Sequence, residues 1–426
     1  MSEAPATRNT SGRGWLYLLI ASAVLTQGGL NLIRPVTTYK LVGLGADSFL
    51  VGVVTAFYAL VPLFAAIWLG RMSDRLNNLR PMVALGAVVL AIGAAGIALG
   101  NSFILIAIFS AVLGLGHLLF TIGGQAAIAR RSSPAEMDRG FGWFTAAFSV
   151  GQMIGPLLAG IILGSELVSD AADRLDSVNI ALWVGCGLTL AAAPLFLSPK
   201  TLSGTTPRRT SPKTGGSSDT REMTTTKPTM FNILKRPGVM SHMFASLALL
   251  GMLDILTAFL PLLAEEVGVS PAAVGLLLAL RGAASIVSRV LLPWLSSRLS
   301  HTSLLLWSLY GAGLALVIPP LLMAMFPPAD GGELTLLLCG LCMLFGGIFL
   351  GLGQPLTMTE VSTSVPPAWR GSALAVRLMG NRLGQVALPL LAGVFAAPLG
   401  PGAAIVMASG FLLISGAEKS IRKRRK

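Results

Sequence analysis

The hydrocarbon core of a bilayer is about 30 Å thick, so a helix that crosses it needs about 20 consecutive, mostly apolar residues. This chain of 426 residues repeats that pattern twelve times, at approximately 15–38, 49–70, 81–100, 102–127, 140–164, 178–198, 239–264, 271–295, 302–326, 333–357, 371–397 and 401–418. Backbone polar groups find no water inside lipid, so a spanning segment must bond internally as a helix or join a closed barrel. Runs of this length select the helix, and the chain reads as an all-α membrane protein with twelve transmembrane helices. Arg8 and Arg13 before segment 1 look like the start of a secretory signal. The apolar run behind them is too long for one, and a second span follows at once, so segment 1 is retained as a helix.

Composition agrees. Only 12% of the residues are charged and 54% are apolar, with a mean hydropathy of +0.76. A soluble domain carries about 25% charged residues. The 49 glycines and 25 prolines are tolerable in membrane helices, where neighbours satisfy the freed backbone groups.

The net charge of +13 would suit nucleic acid, but its distribution points to topology. Arg71, Arg75, Arg80, Arg130, Arg131, Arg139, Arg298 and Arg370 fall in loops on one side, together with both termini and the central loop. The other side holds Lys40 and Arg174 against Asp47, Glu166, Asp170, Asp173, Asp176, Glu265, Glu266, Asp330 and Glu333. By the positive-inside rule both termini are expected in the cytoplasm of a multi-pass protein, placed in a bacterial inner membrane. The terminal run Arg422–Lys426 would lie against anionic headgroups. Nucleic acid is excluded as a partner, and a monomer is expected.

Residues 199–238 are rich in Thr, Ser, Pro, Gly and Lys/Arg and poor in apolar groups. Such a stretch cannot bury enough surface to fold alone. It is expected to be a cytoplasmic linker between an N-terminal bundle, 1–198, and a C-terminal bundle, 239–426.

The bundles repeat one another. A shift of 223 places Gly28, Asn31, Gly45, Gly52 and Arg75 on Gly251, Asp254, Gly268, Gly275 and Arg298 without a gap. A shift of 233 places the run Gly151–Gly160 on Gly384–Gly393. Two six-helix copies with the same orientation are related by a pseudo-twofold axis along the membrane normal, an arrangement of transporters whose solute site lies between the halves near the midplane.

The loop after segment 2, from Gly70 to Arg80, contains Gly70, Asp74, Arg75 and Arg80 at the spacing G-x-x-x-D-R-x-x-x-R. It resembles the G-x-x-x-D-R-x-G-R-R signature of the major facilitator superfamily, departing at Asn77 and Asn78. An aspartate in such a loop can accept from a neighbouring helix N-terminus and pair with arginines in one conformation only. The resemblance covers the whole chain apart from tails and linker. It implies alternating access, with segments 1, 4, 7 and 10 lining the cavity. Segment 5 carries Gly151, Gly155, Pro156 and Gly160, similar to the glycine–proline pattern of the family's drug/proton antiporters, with Ala159 in place of one glycine. Small residues allow close helix approach and proline removes a donor, which suits a pivot. Against that subgroup, the arginine it carries in segment 4 is missing, and Ser110 occupies about that place.

An ionisable side chain in a spanning helix costs about 2.5–3.5 kcal/mol on insertion scales, so each one asks for a reason. Asp254 is the single acid clearly inside a segment, and its repeat mate is Asn31. Burial favours the protonated form of a carboxyl, so Asp254 is expected to be the proton-coupling site or part of the solute site, with His117 as a second proton-coupling candidate; a structural ion pair with an arginine is the rival reading. Arg281, Arg377 and Arg382 are candidate solute contacts and favour an anionic solute, as are the polar Gln27, Asn31 and Gln354. Arg34, before Pro35, is expected near the outer end of segment 1, snorkelling to the interface. Glu360 is expected at the cytoplasmic mouth, in a gate or loop.

Cys186, Cys339 and Cys342 lie in apolar runs, and the C-x2-C of the last two has no second pair or histidine at metal spacing. No metal, cofactor or catalytic role follows, and with no G-x4-G-K-[ST] motif a proton gradient is the expected energy source. The expected activity is transport of a small organic solute, as proton-coupled export of a drug or metabolite. Proton-coupled import of an organic anion is the alternative, and a membrane-embedded sensor or enzyme a remote one.

Overall fold

The computed structural model describes residues 14–131, 134–164, 171–197, 230–327, 332–366 and 369–424. They form thirteen helices: α1 (Gly14–Gly43), α2 (Ser48–Arg75), α3 (Arg80–Leu99), α4 (Phe103–Arg131), α5 (Pro134–Leu163), α6 (Ala171–Leu197), α7 (Met230–Leu234), α8 (Val239–Glu266), α9 (Pro271–Arg298), α10 (His301–Met325), α11 (Glu333–Thr363), α12 (Arg370–Leu399) and α13 (Pro401–Arg424). Twelve of them are long and apolar enough to cross a membrane, and no strand occurs among the described residues. Their outer surfaces carry Phe64, Trp68, Trp183, Trp294, Trp307 and Phe345, all more than 45% exposed, as expected where lipid replaces water.

The repeat seen in sequence is a repeat of local geometry. The turn after α1 has Gly45 at φ 84°, with Ala46 N donating to Leu41 O at 2.9 Å. The turn after α8 has Gly268 at φ 70°, with Val269 N donating to Ala264 O at 2.7 Å. A left-handed residue closes each helix, a role glycine fills without strain. The next helix is capped in both copies by a side-chain oxygen: Asp47 accepts from Leu50 N at 2.8 Å, and Ser270 accepts from Ala273 N at 3.4 Å.

α1–α6 pack as one six-helix half and α8–α13 as the other. Twelve crossings return the chain to the face it started from, and Ser241 at the start of α8 donates to Glu418 near the end of α13. We call that the terminal face and the opposite one the far face. The halves meet through α5 with α9, α2 with α12, and α1 with α8. At these seams glycines bring backbones into contact. A methyl group on Gly52 of α2 would lie 3.0 Å from Gly393 Cα of α12, and one on Gly275 of α9 would lie 2.9 Å from Gly160 Cα of α5. These are the same contact made twice, once on each side of the pseudo-twofold axis. Both lie in the far-face half of the bundle, and there the two halves are closed on each other.

Three expectations are corrected. α1 does not end near Pro35 but runs through it to Gly43, so Arg34 lies inside the bundle, with its side chain 15% exposed, and does not snorkel. Lys40, expected in a loop, is in the last turn of α1 and is buried; its Nζ donates to Ala98 O and, at 2.9 Å, to Asn179 Oδ1. Those acceptors offset the cost of the buried ammonium. Residues 199–229 of the expected linker lie outside the described residues, while Met230–Leu234 within it form α7, which packs on α8 and α12.

Candidate functional site

A polar cluster crosses the seam at the centre of the molecule. Asp254 on α8 is its anion, and it is the only acidic residue among the buried side chains described. Arg34 Nη2 donates to Asp254 Oδ1 at 2.6 Å, and Gln385 Nε2 of α12 donates to Oδ2 at 2.9 Å. Both carboxylate oxygens are thus engaged, one from each half. Arg382, one turn before Gln385, donates through Nη1 to Gln385 Oε1 at 2.9 Å, which orients the amide toward the acid.

The cluster continues into the first half through Tyr58 on α2. The Arg34 guanidinium lies 4.6 Å above the centre of the Tyr58 ring, and Arg382 stands beside its hydroxyl. The hydroxyl meets His117 Nδ1 of α4 at 2.6 Å, and His117 Nε2 meets Gln27 Nε2 of α1 at 3.0 Å. An acid from α8, two arginines, a tyrosine and a histidine therefore form one connected path through five helices. Beyond Arg34, toward the far face, a narrow cleft is lined by Thr37, Thr38, Val54, Tyr58, Ser110 and Thr257.

Of the residues singled out in sequence, Asp254, His117, Gln27 and Arg382 come together here. Asn31 is one turn from Gln27, but its Nδ2 donates to Gln27 O on its own helix at 2.8 Å. Arg377 and Gln354 form a separate pair nearer the terminal face. Arg377 Nη2 donates to Gln354 Oε1 at 2.6 Å, and Gln354 Nε2 donates to Ser246 O at 3.1 Å, tying α12 to α11 and α8. Glu360 belongs to helix α11 rather than a loop and pairs with His242 at 3.4 Å, close to Lys419. Arg281 stands apart on α9, buried, with its Nε and Nη1 unpartnered among the described residues.

The glycines of α5 divide between two neighbours. Gly151 and Gly155 let α5 lie directly on the α1 backbone at Gln27, Gly28 and Asn31, while the Pro156 carbonyl and Gly160 face α9 of the other half. In the second copy Leu388 stands where Gly155 does, and it packs against Gly251 of α8. The backbone contact of α5 with α1 is therefore replaced by a side-chain contact between α12 and α8. At the terminal face, the loop after α2 is held by Arg130 of α4, which donates to Leu76 O at 2.6 Å and to Ser73 O. Arg80 N donates to Asn78 Oδ1 at 3.1 Å, while Arg75 is exposed. The side chain of Asp74 lies outside the described residues.

Sequence reasoning missed Tyr58, Gln385, Arg130 and Arg289. For Tyr58 a signal existed: the 223-residue shift places it on Arg281. Arg289 on α9 donates to Ser149 Oγ of α5 and through Nε to Gly351 O at 3.4 Å.

Comparison with known proteins places these features in context. The model of the Major Facilitator Superfamily matches residues 17–341. The class B tetracycline resistance protein of Escherichia coli is 32% identical over 154 residues, 34% of this chain. That match covers 36% of the relative, so the chain spans about a third of its length. The multidrug resistance protein MdtH of Photorhabdus laumondii subsp. laumondii is 24% identical over 372 residues, 86% of this chain and 83% of that protein. Among solved structures, a variant of the nucleoside transporter NupG superposes with a TM-score of 0.73 at 14% identity, over 96% of this chain and 99% of the other. At that identity the likeness concerns the fold.

Proposed function

The chain belongs to the major facilitator superfamily, and on that premise we propose that it is a proton-coupled transporter that exports a small organic drug or metabolite by alternating access. One observation carries this reading: the single buried acid among the described residues, Asp254, is clamped between Arg34 of one half and Gln385 of the other. Ionised Asp254 holds Arg34 and favours contact of the halves at the far face. A proton on Asp254 removes the ion pair and weakens that closure. Proton occupancy and the open face are then linked, and linkage is reciprocal. His117 reaches Arg34 through Tyr58, which makes it the second group of the relay.

The positive-inside distribution supports a cytoplasmic terminal face in a bacterial inner membrane. On that orientation the far face, closed by the glycine contacts of α2 with α12 and α5 with α9, is the periplasmic one. The stretch from Gly70 to Arg80, the end of α2 and the short turn after it, is clasped by Arg130 and is the conformational latch of the first half, and α5, pressed between α1 and α9 by Gly151, Gly155 and Gly160, is its pivot. Export is the direction favoured by relatives named for tetracycline and multidrug resistance. A second reading, import of an organic anion with protons, draws on the interior arginines Arg34, Arg281, Arg289, Arg377 and Arg382, which outnumber the one buried acid.

Everted membrane vesicles containing the protein, energised by an imposed pH gradient, test the reading. A panel of tetracycline, cationic dyes and organic anions is expected to contain at least one solute that accumulates. Asp254→Asn is expected to keep solute-for-solute exchange and lose gradient-driven accumulation. Accumulation by Asp254→Asn with an unaltered pH profile overturns Asp254 as the coupling site.

A further inference from the structure

The duplication makes the two sides of the pseudo-twofold axis comparable residue by residue. The 223-residue shift pairs Asn31 with Asp254 and Tyr58 with Arg281; the 233-residue shift pairs Ser149 with Arg382 and Gln152 with Gln385. On one side of the axis, the acid Asp254 lies among Arg34, Arg382 and Gln385. On the other side the arginines are Arg281 and Arg289, and Arg289 donates to Ser149 of α5. There the position of the acid is held by Asn31, whose amide is turned onto its own helix. The scaffold is copied, and the counter-ion is not.

Arg281 carries the consequence. It is 3% exposed, and its Nε and Nη1 have no hydrogen-bond partner among the described residues. The like charges of Arg289 and Arg34 lie within electrostatic reach of it. No carboxylate pairs with Arg281 or Arg289 among the described residues. Nearby, where Gly282 brings α9 against the α5 backbone at Gln152, the Gln152 Oε1 is buried without a partner. A buried guanidinium without an anion is costly, several kcal/mol per ion in real proteins. A permanent partner would be a side chain; a partner that comes and goes is a ligand. Guanidinium groups bind carboxylate and phosphate oxygens through paired N–H bonds.

We propose that Arg281, approached past Arg289 and Ser149, anchors an anion-binding subsite between the halves that holds the carboxylate or phosphate of a small organic solute. The proposal rests on the transporter reading and adds the substrate class to it. Arg281 anchors the anion near mid-depth. Arg289 lies two turns nearer the terminal face, about 12 Å along the helix at 1.5 Å per residue, and stands on the approach to it. Arg34 lies within electrostatic reach of Arg281, so an anion bound there also acts on the pair that Arg34 makes with Asp254.

Thermal melting of the full-length protein in detergent, without any gradient, tests this. The probes are inorganic phosphate, succinate and benzoate, with succinamide and benzamide as neutral controls. At least one anion is expected to raise Tm, since a ligand of the folded state stabilises it in proportion to its occupancy, and the amides are not. Arg281→Gln is expected to weaken that anion about tenfold or more, the scale of a lost charged hydrogen bond, with Arg281→Lys retaining part of the shift. Ligand-free Arg281→Gln is expected to melt no lower than the wild type, because an uncompensated charge has been removed. If no anion shifts the wild type, or if Arg281→Gln keeps the full shift, the proposal is overturned. If ligand-free Arg281→Gln melts several degrees lower, Arg281 is a structural group and the proposal also falls. The measurement does not involve transport, so anion binding with no gradient-driven accumulation would count against the transporter reading alone.

Discussion

Arg34 and Asp254, 220 positions apart in the chain, meet at 2.6 Å across the seam between the halves. Each is charged, each is largely withdrawn from solvent, and each comes from a helix whose repeat mate is neutral at that position: Thr257 for Arg34 and Asn31 for Asp254. The two copies therefore complement one another here instead of repeating.

Removing one member of a buried pair costs about 3–5 kcal/mol because the other is left uncompensated, whereas replacing both is far less damaging. Arg34→Met and Asp254→Asn are each expected to lower the melting temperature of the purified protein. The double variant is expected to recover much of the loss. A double-mutant cycle on denaturation free energies checks this, and additive single effects would remove the ion pair as an energetic link.

The glycine contacts at Gly52 and Gly275 are equivalent, so they should respond alike. A valine at either position puts side-chain atoms into the opposing backbone, and overpacking of this kind costs about 1–3 kcal/mol. That penalty falls on the far-face-closed state alone. Labelling of a cysteine introduced at Thr38 by a membrane-impermeant thiol reagent added at the far face is expected to speed up about tenfold or more in Gly52→Val and in Gly275→Val. Unaltered labelling in both would show that closure does not depend on these contacts.

Tyr58 joins the two parts of the polar cluster, with its ring under Arg34 and its hydroxyl on His117. Tyr58→Phe keeps the ring and removes the hydroxyl. It leaves His117 Nδ1 without its partner, at a cost of about 1–3 kcal/mol for a buried unsatisfied group. The expected outcome is a fall in Tm with the fold intact by circular dichroism, together with weaker dependence of transport on pH. A Tm equal to the wild type would mean that His117 finds another partner.

Arg130 clasps the carbonyls of Ser73 and Leu76 at the end of α2. A cation at a helix C-terminus offsets its partial negative charge. Arg130→Gln is expected to destabilise this end by about 1–2 kcal/mol, visible as hydrogen exchange roughly tenfold faster between Met72 and Leu79 with little change in α8–α13. Uniform acceleration across the molecule would point to a global effect instead.

The architecture was legible because lipid leaves so few options. Length and hydropathy of the apolar runs fixed twelve helices, and charge asymmetry between loops supplied an expected orientation. The duplication was visible because Gly45, Gly52, Gly268 and Gly275 occupy backbone positions that admit no side chain or prefer a left-handed turn, and such positions keep their spacing. The isolated charges Asp254, Arg281 and Arg382 could be singled out from insertion cost alone.

What the sequence by itself determined was the kind of solvent, the number of helices, the repeat and the few residues too costly to be in lipid without a reason. Which of those residues touch was decided by the tertiary structure. Hydropathy is a property of one segment, whereas an ion pair depends on the rotation and depth of two. The apolar run of segment 1 reads to about position 38, yet α1 continues to Gly43, and packing against α5 and α6 outweighs the donor missing at Pro35. That continuation moves Arg34 from the membrane surface to the side of Asp254. The same packing leaves Arg281 buried on α9 with no carboxylate paired to it among the described residues. Sequence could count the arginines, and only the packed structure showed that Arg34 holds the acid while Arg281 keeps two buried nitrogens without a partner among the described residues.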